Sequence, residues 1–164
     1  MIAKTISYLI LILTQIGLSQ AHASTCPDLS GTYKSEYNGS EFTANVETLK
    51  DSTGKTFYIF TASGERIEIY ADGKLHDQKT TRDFPHLKNR KYSAHCRDNK
   101  LLYWETAQIL DQKGRVIGQH YQLTERFVDH LKMTVNFIDM RDVFKDGSVD
   151  SYPSFSHSSE RISE

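Results

Sequence analysis

What this chain lacks first is a catalytic signature. It has no Gly-x-Ser-x-Gly elbow and no glycine-rich phosphate loop, so neither serine-hydrolase nor P-loop chemistry has its motif. Its histidines are scattered, with no His-x-His and no paired-cysteine spacing of the kind that builds a zinc site. Glu105 and Glu125 fall on neighbouring predicted strands, but a solvated face beside Arg126 and Lys132 accounts for them without an acid dyad. No basic run is present, and the overall balance of 20 Lys and Arg against 21 Asp and Glu gives no footprint for nucleic acid or an anionic membrane surface. No cofactor and no metal are expected.

Apolar length is also scarce. The only apolar run lies near the start, through Ile6, Tyr8, Leu9, Ile10, Leu11, Ile12 and Leu13. It is shorter than the roughly 20 residues a membrane-spanning helix needs. With Lys4 before it and Ala21-His22-Ala23 after it, the run reads as a cleaved signal peptide over residues 1–23. Ser24 then opens the mature chain, which is expected to be exported to the periplasm or extracellular space and to be soluble, with no membrane insertion. The compact leader fits bacterial export. Thr25 before Cys26 is a poor match to a lipidation site, which disfavours a lipid anchor.

Only two cysteines exist, Cys26 and Cys96. In an oxidising compartment an even number favours pairing, and closing so long a loop stabilises by up to about 4 kcal/mol in the chain-entropy account. A reactive thiol at His95-Cys96 is the rival reading.

Helical periodicity is missing too, and what replaces it has period two. Phe42, Ala44 and Val46 alternate with polar residues, as do Leu131, Met133, Val135 and Phe137. Ile117, Tyr121, Leu123 and Phe127 share one parity against Gly118, His120, Gln122, Thr124 and Arg126, and the apolar parity is expected to be the buried one. Turn chemistry punctuates these runs, from Asn38-Gly39 and Ser63-Gly64 to Asp98-Asn99 and Asp129-His130. About nine strands are predicted: 30–37, 41–50, 55–62, 65–71, 74–81, 90–97, 101–110, 115–128 and 131–144. The stretch 74–81 reads as an edge strand or loop, and Pro85 keeps 82–89 out of a central ladder.

Short connections imply an antiparallel meander. So many strands must curl into a barrel or fold into two layers to avoid exposed edges. The expectation is an all-β, up-and-down meander barrel or a related β-sandwich over residues 24–147, with one disulfide. From Ser148 onward seven of 17 residues are serine, and 148–164 reads as a tail.

Gly31-Thr32-Tyr33 at the start of the first strand, followed by a meander, resembles the lipocalin and calycin pattern. That resemblance implies that Tyr33 closes one end of a barrel with an arginine from the last strand stacked across it, either Arg141 or Arg126. It also implies a small apolar ligand inside the barrel, or a role as a secreted protein ligand or protease inhibitor. The interior candidates are Trp104, Tyr121, Met133, Val135 and Phe137. The leading expectation is a non-enzymatic binding protein for a small apolar molecule. The alternative is a protein-interaction module working through loops such as Phe84-Pro85-His86 or through the first strand.

Overall fold

A computed structural model describes residues 25–37, 40–79 and 86–163. The predicted leader, the Asn38-Gly39 turn and the first part of the 82–89 connection lie outside those residues. The described chain is all β: β1 (Gly31–Tyr37), β2 (Ser40–Lys50), β3 (Thr56–Ala62), β4 (Glu65–Tyr70), β5 (Leu75–Asp77), β6 (Leu87–Arg97), β7 (Lys100–Leu110), β8 (Val116–Asp129), β9 (Lys132–Phe144), β10 (Val149–Tyr152) and β11 (Phe155–Ser163). Each predicted strand has a counterpart, with β5 reduced to three residues. The hairpins form where the turn chemistry put them: Asp98 and Asn99 both take positive φ (51° and 55°) between β6 and β7, the backbone of a tight primed turn.

All ladders are antiparallel, in the order β4-β3-β2-β1-β11-β9-β8-β7-β6-β5, with β10 beside the far half of β9. Among the described residues no backbone ladder joins the two ends of this path. Instead the Tyr92 hydroxyl on β6 accepts from the Tyr70 amide and donates to the Glu68 carbonyl, both at 3.2 Å. The Gly73 amide, just after β4, donates to the Ala94 carbonyl on β6 at 2.8 Å. The sheet therefore curls until β4 meets β6 through the Tyr92 hydroxyl and one backbone bond. One core results, drawing Tyr33, Val46, Tyr58, Ile69, Ala94, Leu101 and Met133 from seven strands.

The segment before β1 packs under this core. Cys26 and Cys96 are joined in a disulfide with their Cα atoms 4.9 Å apart. Pro27 and Leu29 are fully buried, the Tyr58 hydroxyl donates to the Pro27 carbonyl at 2.9 Å, and the Leu29 amide donates to Thr48 Oγ1 at 2.8 Å. Burial pushes the Tyr58 phenol far above its usual range, so it stays a donor.

Three sequence expectations need correction. The serine-rich stretch does not stand apart from the sheet as a tail: it carries β10 and β11, and β11 lies between β1 and β9. Serine suits that place because its hydroxyls pair across strands. Ser35 and Ser159 bond to each other on the inner face, while Ser156 reaches Asn136 at 2.8 Å and Ser158 reaches Thr134 at 3.1 Å on the outer face.

The arginine on Tyr33 is neither Arg141 nor Arg126 but Arg161 of β11. Its guanidinium lies 5.5 Å from the Tyr33 ring centre. Its Nη2 and Nε donate to the Tyr33 hydroxyl at 2.9 and 3.2 Å, and Nη2 also reaches the Ser30 carbonyl. The Tyr33 hydroxyl in turn donates to the Leu29 carbonyl at 2.9 Å. Gly31 is required beside them. A Cβ there would sit 2.8 Å from Arg161 Nε, and its φ of +141° disfavours any side chain. Arg141 instead lies over the Tyr121 ring at 5.7 Å.

The third correction concerns β8. Thr124 is fully buried, Arg126 packs on the rings of Phe60 and Tyr103, and Val128 joins the core. The polar parity of β8 faces inward and the apolar one outward. Trp104 and Tyr121 consequently sit together on the outer face, 6.4 Å apart, with Trp104 38% exposed.

Candidate binding cavity

The alternation of β2 and β9 turns Phe42 and Ala44, and Met133, Val135 and Phe137, toward the same side. Curling of the sheet brings these two strands face to face across β1 and β11. Between them opens a cavity of about 430 Å³, completed by Phe60 of β3, Phe155 and His157 of β11, Ser35 and Ser159, with Arg126 among its lining. Phe137 and Phe155 stack at 4.2 Å, and Phe42 stacks on His157 at 6.5 Å. Phe42 and Phe155 keep partial exposure, 36% and 46%, which places them at the mouth.

The lining is mostly apolar, with Ser35, Ser159, His157 and Arg126 as its polar members. Arg126 lies 4.7 Å from the Phe60 ring centre and 5.1 Å from that of Tyr103, as a cation over two aromatic faces. Its Nε is shut from solvent and has no hydrogen-bond acceptor among the described residues; the same holds for His157 Nε2. Burial pushes the guanidinium below its usual range, opposed by Tyr103 and Glu105.

Glu105 is buried next door, but its carboxylate is already engaged. Arg90 Nε donates to it at 2.6 Å and the Tyr103 hydroxyl at 2.7 Å. Burial first, then the Glu105 charge, pushes the Tyr103 phenol far up, so it stays protonated and donating. Glu125 pairs with Lys100 at 3.1 Å and lies opposite Leu102, whereas Glu105 lies opposite Gln122. The two carboxylates point to opposite faces of the sheet and cannot act as a dyad.

A groove of about 510 Å³ runs between β4 and β5, lined by Arg66, Glu68, Tyr70, His76, Asp77, Lys79 and Tyr92. It is larger than the cavity but polar, and most of its groups are taken. Glu68 holds Arg66 and Tyr70, His76 holds Asp72 at 2.8 Å, and Asp77 holds Lys91 at 3.1 Å. Tyr70, His76, Tyr92 and Tyr103 stack in sequence at 5.2–5.6 Å, which occupies the ring faces a ligand would use.

Of the predicted interior residues, Met133, Val135 and Phe137 line the cavity, while Trp104 and Tyr121 lie outside it. Sequence reasoning missed Phe60, Arg126, Phe155 and His157 as lining residues. Phe42 was readable from its parity with Ala44; Arg126 was not, because it shares a parity with polar neighbours. Neither the family models, nor the curated proteins, nor the solved structures include a match to this chain.

Proposed function

We infer that the protein binds a small, predominantly apolar molecule in the cavity between β2 and β9, and does no chemistry on it. One observation carries this reading: an apolar-walled cavity of about 430 Å³, above the roughly 300 Å³ at which drug-sized ligands begin to fit. The cystine supports an oxidising compartment, which fits export of the chain to the periplasm or extracellular space. Among the described residues, no helix is long and apolar enough to cross a membrane.

The test is native mass spectrometry of the purified, exported protein, followed by titration with apolar ligands. A co-purifying small molecule, and loss of ligand uptake in Val135→Trp with the fold retained, are expected. Equal uptake by Val135→Trp and wild type would sink the reading. Trp104 fluorescence is the wrong probe, since that indole sits on the outer face.

A second reading, docking of a protein partner, is favoured by that same outer face. Ser93, His95, Leu102, Trp104 and Leu123 form a shallow hollow of about 220 Å³ there. A pull-down with wild type but not with Trp104→Ser would support it.

A further inference from the structure

Arg126 has no contact ion pair among the described residues, and the counter-charge that acts on it, Glu105, is shared with others. Arginine does not give up its proton in proteins, and a buried charge is tolerated only when paired and hydrogen-bonded. The nearby carboxylate, Glu105, is held by Arg90 and Tyr103, and no ion pair reaches Arg126 among the described residues. Its Nε has no acceptor among the described residues, and Arg126 stands in the cavity lining with His157. An arginine with no ion-pair partner among the described residues, set in the lining of a mostly apolar cavity, marks where an anionic group belongs.

Resting on the binding reading above, we propose that the occupant is an aliphatic monocarboxylic acid whose carboxylate pairs with Arg126 and whose tail runs between Phe60, Val135 and Phe137 toward Phe42 and Phe155. A guanidinium matches a carboxylate in planar, forked geometry. One such cation suits a single negative charge, and a phosphate dianion would be left under-compensated. The volume sets how much of the acid can be enclosed. At about 30 Å³ for each water-sized group, the cavity's 430 Å³ holds about 14 non-hydrogen atoms, a chain of medium length.

The experiment is calorimetric titration of the delipidated protein, disulfide intact, with dodecanoate, dodecan-1-ol and dodecylamine, in wild type and in Arg126→Met. A hydrogen-bonded charge contributes enough that wild type should prefer dodecanoate over dodecan-1-ol by roughly tenfold or more. Arg126→Met should lose that preference while binding the alcohol as before. Equal affinity of wild type for acid and alcohol, or a preference for the amine, would overturn the carboxylate and leave the apolar-cavity reading standing. Binding of none of the three ligands overturns the cavity reading itself. If circular dichroism shows Arg126→Met to be unfolded, the wild-type comparison still decides, and Arg126→Lys, which keeps the charge but not the fork, should show a reduced preference.

Discussion

Replacing Tyr33 with phenylalanine isolates the hydroxyl through which Arg161 ties β11 to the segment before β1. The ring keeps its place under the guanidinium, and Arg161 keeps its bond to the Ser30 carbonyl. What disappears is the acceptor for Arg161 Nε and Nη2 at 3.2 and 2.9 Å, and the donor to the Leu29 carbonyl at 2.9 Å. Tyr33 and Leu29 are both fully buried, so water does not restore these partners freely. A buried group left unsatisfied costs about 1–3 kcal/mol, and bonds to charged groups lie toward the upper end. The expected loss is about 2 kcal/mol. For a domain of this length that is a fall in Tm of about 8 °C. Urea and thermal unfolding of oxidised Tyr33→Phe measure it. A cycle with Arg161→Met should give a coupling energy of about 1 kcal/mol. A single-mutant change within about 0.5 kcal/mol, the range of ordinary surface substitutions, together with an additive cycle, would refute the reasoning.

Three further outcomes are expected. Cys96→Ala, or reduction of wild type, should lower stability by up to about 4 kcal/mol; intact-mass measurement of the untreated protein should show two hydrogens missing relative to the reduced form. Truncation after Tyr152 removes β11 and leaves β1 and the first half of β9 each with an open edge, so the product should fail to give a cooperative melt; a native-like melt would show that β11 is dispensable. The Asp28 carboxyl is held below its usual range by the side-chain hydroxyl and backbone amide of Ser30, against a smaller opposing effect of burial. A carboxyl with a depressed folded-state value stabilises fully above its unfolded value, near pH 4, and loses that contribution as pH falls through the folded value. Melting temperatures should therefore drop less steeply below about pH 4 in Asp28→Asn than in wild type, and parallel curves would count against the assignment.

Most of the fold was legible because its hairpins and outer strands obey local rules. Phe42, Ala44 and Val46 alternate, Asp98-Asn99 takes the positive φ its composition suggests, and Met133, Val135 and Phe137 share the face that alternation assigns them. Two parts were hidden for different physical reasons. On β8 the interior is partly polar, so Thr124 and Arg126 point inward and the rule that apolar residues are buried selects the wrong face. On β11 the inner residues Ser159 and His157 carry no hydrophobic signal; Ser159 is buried because Ser35 answers it across the ladder. A register that depends on a partner 124 positions away cannot be read from a local window.

The placement of β11 also has a kinetic consequence. It is synthesised after every other described strand, yet it fills the gap between β1 and β9, and its pairing with β1 joins residues 124 to 131 positions apart. Until it arrives, β1 and β9 are open edges able to pair with other chains. Closure across so long a span also makes folding slow relative to proteins built from local contacts. The chain should thus pass through a state with its hairpins formed and its seam unfilled. In that interval the protein is most exposed to aggregation, and a chaperone that covers strand edges would help it most.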